Sequence, residues 1–541
     1  MKFDYVIAGG GFAGAYCARE LGRKLGAHRV ALVAERNVLV FHPMLAEVAG
    51  STLGPMDVVN PLRQLCKSAT VLQGSIQKVD YTAKELIVDG GRFTRNQHLG
   101  FGQLVLALGS VTNLNQIPGF SEHGWPMKNV ADALRLRSAL INRLEEANLV
   151  DDPAVRARLM TFVVVGGGYT GVETAGQLRG FFRQARKFYP ELKAVPLKLI
   201  LVHSGPELLP EIGAKLGRHA LEVLQKRGVD VRLNTKVESM TARKVSFAGG
   251  ESIETHTVIT TIGNAPNPVI QELAKDLKLE MPKGRLTVEP TMQVPGQPGL
   301  WAIGDCAGVP WVDRGEAKLA PPTAQLALRE GRQLAANILR AEKGQPLQPF
   351  TYRYLGQLAT IGEHEAVAEI LGFHFRGFLA WWMWRTIYLA KLPGVFRKLR
   401  VMIDWTVELV FPPDISILLP PPDEVMRPIH LEAGEPLFEK GALARAVYYV
   451  RKGAVALTGD AGQPDRVIRS GEVIDREEAD ATHQWKCAAQ ATETSDLIVF
   501  RGRAYVLLRE ELKISPRGKP AAPTAQPPPA PAPQSAPAGP I

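Results

Sequence analysis

Two stretches of this chain, IAGGGFAGAYCAREL from Ile7 and VVGGGYTGVETAGQL from Val164, run apolar residues straight into a glycine-rich turn and on into a helix-forming segment. This junction constrains the fold more than any other feature. Its G-x-G-x-x-G spacing serves a tight turn, a backbone approached closely from outside, and a helix packed hard against a strand. The first motif uses Gly9, Gly11 and Gly14, and Glu35 closes the next strand, RVALVAE, 21 residues after the last glycine. A helix N-terminus there offers N–H donors and a favourable dipole to a pyrophosphate, and the acidic residue can accept from ribose hydroxyls. Glycine turns also serve plain packing, but strand, helix and Glu35 in register point to a bound dinucleotide. Gly166, Gly168 and Gly171 repeat the device.

Two cradles predict two dinucleotides, economically a flavin and a nicotinamide nucleotide linked by hydride transfer. GLWAIGDCAG supports the flavin, because it sets Asp305 after a strand where a carboxylate can hold a ribityl chain; a simple turn is the alternative. The 541 residues exceed what one core usually organises, so three or four domains are expected. Strand–helix alternation to about residue 115 is followed by a helical stretch and the second turn. The first pattern resumes at GLWAIGD, so one domain reads as inserted in another. The fold class is therefore α/β: two Rossmann-like domains, amphipathic membrane-associating helices and a C-terminal β-roll. The divisions are 1–115 with 266–340, 116–265, 341–425, 427–513, and a Pro/Ala-rich tail over 514–541.

The four cysteines lie far apart without a Cys-x-x-Cys, so neither a disulfide framework nor a metal site is expected, and a reducing compartment is the default. The N-terminus enters a strand directly, without a signal-peptide pattern. Cys17 and Cys306 read as packing residues. The net charge of +10 has three candidate partners: nucleic acid, an anionic membrane, or solvent. Its distribution narrows them. Between Phe373 and Val401 stand Arg376, Arg385, Lys391, Arg397, Lys398 and Arg400 with no acidic residue, beside the tryptophan-rich run GFLAWWMWRTIYLAKLPG. That run is too short and too charged to span a bilayer, yet suits lying on one with aromatics at headgroup level. An aromatic core or dimer-interface helix is the alternative. Nucleic acid is disfavoured, because the tryptophans coincide with aliphatic bulk.

Taken in order, FHPMLAEVAG, GGGYTGVETAG, GLWAIGDCAG, APPTAQLAL, YLGQLATIG and DWTVELVF resemble the type II NADH:quinone oxidoreductases, a family of two-dinucleotide-binding-domain flavoproteins, over roughly residues 3 to 420. The resemblance implies FAD in the first cradle, NADH or NADPH in the second, and a membrane quinone at the far face of the flavin ring. The expected FAD contacts are Gly9, Gly11, Phe12, Ala13, Gly14, Glu35, Gly109, Asp305, Ala324 and Gln325. Those for NAD(P)H are Gly166, Gly168, Tyr169, Thr170, Gly171, Glu173, His203 and Gly263. By carry-over, the helix start at Ala324 and Gln325 faces the flavin pyrimidine edge and Gln325 borders the quinone; the bland reading is a helix with proline in its first turn. Glu173 corresponds to the glutamate near nicotinamide and flavin, where it orients the carboxamide or relays a proton; a solvated first-turn glutamate favoured by the helix dipole is the alternative.

The implied activity is non-proton-pumping NAD(P)H:quinone oxidation at the cytoplasmic side of the cell membrane, with the oligomer, a homodimer included, left open. A redox sensor signalling through the C-terminal domain, or a reductase for another acceptor, is the alternative. Two departures stand out. The strand after the second turn ends in His203 and Ser204 where the family commonly has an acidic residue, which removes a repulsion against a 2′-phosphate, gives a histidine that can attract it, and predicts usable NADPH. The quinone-site helix carries Arg329 where a second glutamine is usual. Disulfide reductase chemistry is disfavoured by the absence of cysteine between Phe41 and Gly54. HLEAGEPLFEKGALARAVYYVRKGAVAL resembles the start of a cyclic-nucleotide-binding domain, but Asp475 and Arg476 near the expected Gly-Glu, and Lys486 near the expected arginine, predict a docking or degenerate regulatory module instead.

Overall fold

The computed structural model describes residues 1–91, 93–313, 316–408, 410–417, 426–442, 444, 446–459, 464–474 and 484–501. They fall into two compact units, 1–421 and 422–541. Asp475, Arg476 and the Pro/Ala-rich tail lie outside the described residues.

In the first unit, Lys2–Ala8 sits inside a seven-stranded sheet, flanked on one side by Val30–Ala34 and Thr70–Gln73 and on the other by Gln97–Leu106, Glu85–Asp89 and Ser75–Asp80. The strands VIA and VALVA are buried on both faces, as their unbroken apolar runs require. Leu300–Ala302 returns to this sheet, parallel to Gln97–Leu106. A second, all-parallel sheet orders Trp125–Pro126, Thr257–Thr260, Thr161–Val165, Lys198–Val202 and Val229–Arg232. Its TFVVV strand feeds the second glycine turn. The two sheets are stitched by Asn264–Pro266 pairing antiparallel with Ser110–Thr112.

The segment after the long helix Ala324–Glu342 makes a three-stranded antiparallel sheet, Gly356–Gly362, Glu365–Ile370 and Phe373–Arg376, then the helices Gly377–Lys391 and Val395–Glu408. This small sheet packs on the helix of the second turn. A Cβ at Gly176 would collide with the Ile361 carbonyl, so the last glycine of GVETAG exists for this contact. Among the described residues no helix is long and apolar enough to cross a membrane.

The two helices correct the expectation for the aromatic run. Trp384 is fully buried, Trp381 and Trp405 nearly so, and only Trp382 stands 55% exposed. The tryptophans are mostly core. The cations are also largely engaged: Arg385 pairs with Glu408 at 2.6 Å, Arg400 with Asp57 at 3.0 Å, and Lys398 Nζ donates to Ala390 O at 2.7 Å. What remains outward is an apolar stripe, Phe378, Leu379 and Trp382 on one helix and Val395, Phe396, Leu399, Met402, Ile403 and Val407 on the other.

Among the described residues of the second unit there are two four-stranded antiparallel sheets. Phe438 stacks on Trp485, ring centroids 4.2 Å apart, in a core shared with Val450, Val455 and Leu497. Lys486 is exposed between buried Trp485 and Cys487.

Candidate functional site

Each glycine turn has the same anatomy. Gly9 and Gly166 take positive φ, and a Cβ at Gly14 or Gly171 would collide with the carbonyl oxygen of the turn's first glycine. The outer glycines are used within the protein. The middle ones, Gly11 and Gly168, cap the helices Phe12–Leu25 and Tyr169–Ala185, and a Cβ there would meet nothing within 4 Å. Space is therefore open where a pyrophosphate would approach, and no side chain caps the helix N–H groups. A cavity of about 380 Å³, within the usual range of about 300–1,000 Å³ for small-molecule sites, joins the two turns. Gly11, Phe12, Ala13, Gly109, Asp305 and Ala324 line it from the segments around the first sheet, and Thr170 and Glu173 from the helix that follows the second turn. These residues fit a flavin nucleotide held at the first turn and a nicotinamide nucleotide at the second.

The other expected residues stand elsewhere. Glu35 is exposed at the end of its strand. Tyr169 donates to Gln357. Gly263, at positive φ, packs on the Asn113 carbonyl, and its neighbours Ile262 and Asn264 reach the cavity instead. Gln325 lies behind the cavity wall: Lys391 Nζ donates to its Oε1 at 3.3 Å, and Arg329 turns back to its carbonyl oxygen at 2.7 Å while stacking on Tyr352 at 4.0 Å. The position that departs from the family pattern thus supports Gln325. The proline reading is corrected too, since Pro321 and Pro322 precede the helix and Thr323 caps it through Leu326 N.

His203 is also a correction. Its Nδ1 accepts from Gly167 N at 3.1 Å, and burial pushes its pKa down, with Glu211 acting the other way. A neutral imidazole spent on the turn offers a 2′-phosphate no charge. The arginine beside it in the sheet, Arg232, is held by Asp230 and Glu251.

Glu173 is only 7% exposed, which removes the solvated-glutamate alternative. Burial pushes its pKa up to about 8, against a hydrogen bond from Thr360 N at 3.3 Å and with the Glu47 carboxyl adding to the rise. It is mostly protonated at neutral pH. Asp305 is likewise pushed up by burial, opposed by Lys128 and Arg285. Lys128 Nζ reaches Ser110 Oγ at 3.2 Å and Asn264 Oδ1 at 2.9 Å, bridging the two parts beside Asp305. Nothing local in its sequence marks it. His42, within FHPM, also lines the cavity, and neither charge nor spacing marks it in the sequence. Glu330, one helical turn past Leu326, accepts from Gly304 N at 2.6 Å and so fixes the loop that carries Asp305. Cys306 is buried and pushed up to about 11 by burial, a packing thiol rather than a nucleophile.

The chain matches the family described as pyridine nucleotide-disulphide oxidoreductase over residues 3–331, and the NDH2 C-terminal domain over 354–412. It is 30% identical over 414 residues to the type II NADH:quinone oxidoreductase Ndh of Mycobacterium tuberculosis, covering 74% of this chain and 87% of that protein. It is 27% identical to the mitochondrial external alternative NADH-ubiquinone oxidoreductase of Yarrowia lipolytica, with 77% and 81% covered. Its fold is like that of NDH2 from Plasmodium falciparum solved in complex with NADH, with a TM-score of 0.71 at 19% identity over 76% of this chain and 99% of that one. The order of motifs, the paired cradles and these likenesses agree: the chain belongs to the type II NADH:quinone oxidoreductase family, within the pyridine nucleotide-disulphide oxidoreductases.

Proposed function

We propose that this chain is an FAD-dependent, non-proton-pumping NAD(P)H:quinone oxidoreductase working peripherally at the cytoplasmic side of the cell membrane. The observation that carries the reading is the single cavity lined by Gly11 of the first turn, Asp305, the Ala324 helix start, and Thr170 and Glu173 of the helix that follows the second turn. Residues 1–115 with 266–340 hold the FAD, and 116–265 hold the nicotinamide nucleotide. Bound flavin supplies the capacity to take a hydride from one partner and pass two electrons to another. The chain's part is to bind, orient and exclude water. The N–H groups at Gly11 and Gly168 take the pyrophosphates, Asp305 the ribityl chain, and the Ala324 helix start places its positive dipole end at the ring. Glu173, protonated and dry, holds a proton at the meeting point of the cradles. Lys391 and Gln325 present polar groups beside the outward apolar stripe, where a lipid quinone would arrive.

Anaerobic stopped-flow mixing tests this. NADH should bleach the flavin within the dead time or milliseconds after it, and a short-chain quinone should restore the oxidised spectrum at a comparable rate. Bleaching without reoxidation would assign the chain to another acceptor or to signalling.

We read the second unit as a docking or degenerate regulatory module related to cyclic-nucleotide-binding domains. Its paired antiparallel sheets support the relation, and the outward Lys486 supports the loss of the ligand. Titration calorimetry with cyclic AMP and cyclic GMP should give no binding tighter than about 10 μM, roughly −7 kcal/mol.

A further inference from the structure

A second buried carboxyl, Glu47, acts on the first, since its charge helps raise the pKa of Glu173. The helix Leu45–Ala49 and the helix Tyr169–Ala185 together form a partition between two cavities. Leu45, Ala46, Thr170 and Glu173 line the cofactor cavity, while Glu47, Gly50, Gln177 and Gly180 line a larger one of about 880 Å³. Glu47 is 2% exposed, and its Oε2 has no hydrogen-bond partner. A buried, unsatisfied carboxyl oxygen is costly, and natural proteins retain few of them without a use. The larger cavity is polar, with Asp57, Asp404, Glu408, Arg385 and Arg400 also in its lining.

We propose that Glu47 is a proton-relay residue, taking protons from the 880 Å³ cavity and passing them to Glu173 at the flavin. The inference rests on the quinone-reductase reading. In that reaction NAD(P)H, one proton and a quinone become NAD(P)⁺ and a quinol. The donor supplies two electrons and one hydrogen, and the second quinol hydrogen comes from solvent. It must reach a centre that the chain keeps dry. In the relay step the O–H bond of Glu47 breaks, an O–H bond to an ionised Glu173 forms, and Glu47 is then reprotonated from the cavity. The negative charge left briefly on Glu47 is met by Arg385, whose guanidinium is held by Glu408 at 2.6 Å and lies between the Trp381 and Trp405 rings at 4.2 and 4.6 Å.

Around Glu47, Arg385 from Gly377–Lys391 favours the charged carboxylate, Glu408 from Val395–Glu408 disfavours it, and the Trp405 indole favours it; Val130–Leu149 also packs on Leu45–Ala49 and brings Arg137 to the same cavity, and Glu47 in turn raises Glu173. Burial pushes Glu47 up to about 8, as it does Glu173. Both carboxyls are thus pushed in the same direction by the same cause, so each can hold a proton inside the dry interior.

The experiment compares full-length, flavin-loaded wild type with Glu47→Gln and Glu47→Asp. NADH bleaching, reoxidation by a short-chain quinone, and proton uptake by an indicator dye are recorded in the same anaerobic mixing. Glu47→Gln should bleach at the wild-type rate, yet slow reoxidation and proton uptake together by about 100-fold. Glu47→Asp should recover part of both. The redox-difference infrared spectrum should lose a protonated-carboxyl band in the glutamine variant. If Glu47→Gln fails to hold flavin, Glu408→Gln at the cavity edge is the second variant and should slow proton uptake while leaving bleaching intact. Reoxidation and uptake at the wild-type rate in Glu47→Gln, or in Glu408→Gln where that variant stands in, would overturn the relay alone. A wild type that bleaches but is not reoxidised would overturn the quinone reading and the relay with it.

Discussion

A carboxyl group keeps its proton at neutral pH when the water withdrawn from it outweighs whatever charge or hydrogen bond replaces it, and Glu173 and Glu47 both meet that description, Glu47 in spite of Arg385. Stability should record the cost. In the unfolded chain these groups lose their protons near 4.5, and in the folded protein only near 8. Over that interval the unfolded state binds fewer protons, so stability falls as pH rises from about 4.5 to about 8. Denaturant midpoints across that range should decline for wild type, with a shallower slope in Glu47→Gln; an unchanged slope would contradict the burial of that charge. Gly176→Ala is a second residue-scale prediction. The added methyl meets the Ile361 carbonyl, so the small sheet must move and the Thr360 N–H withdraws from Glu173. A loss of about 1–3 kcal/mol is expected from overpacking, read as a lowered unfolding midpoint. The identity of Gly176 was legible in the motif, but its purpose was not, because its contact lies 185 residues further along the chain.

At the scale of elements, the helices Gly377–Lys391 and Val395–Glu408 divide their apolar residues between two jobs. Trp381, Trp384 and Trp405 fill the core beneath, and Phe378, Trp382, Phe396, Met402 and Ile403 face outward. Substituting Phe396→Glu and Met402→Glu together should shift the enzyme from the pellet to the supernatant with anionic liposomes, while Trp405→Ala should instead lower stability by about 3–5 kcal/mol. Sedimentation and thermal melts separate the two outcomes. The helix Ala324–Glu342 offers a smaller test: Thr323→Ala removes its cap at a cost of about 1 kcal/mol. Sequence reading located these helices, because composition marks apolar bulk. It did not separate their two faces, since aromatic residues crowd all round the first helix and only its neighbours decide which of them water can reach.

For the molecule as a whole, two cradles 157 residues apart in sequence, Gly9 to Gly166, form one cavity because the linking strand pair Asn264–Pro266 and Ser110–Thr112 and the Lys128 bridge bring the sheets' ends together. Donor choice belongs at this scale. No acidic residue ends Lys198–Val202, so NADPH should be used, with NADH favoured by less than about 100-fold, or ~2.7 kcal/mol, in kcat/KM. His203 contributes through missing repulsion only, because its ring is occupied by Gly167. Adding charge there, by Ser204→Arg, should move the ratio toward NADPH in steady-state assays.

By itself the sequence determined the local chemistry: two cradles, the glycines that make them, and the apolar strands that feed them. These depend on backbone geometry within a dozen residues, and short-range sterics are written locally. The tertiary structure alone decided what each polar group faces. It buried Glu173 under Thr360, set Glu47 on the larger cavity, turned Arg329 back to the Gln325 carbonyl, paired Arg385 with Glu408 and tied His203 to Gly167. The strength of a charge depends on the water and partners around it, and those are supplied by residues distant in the chain.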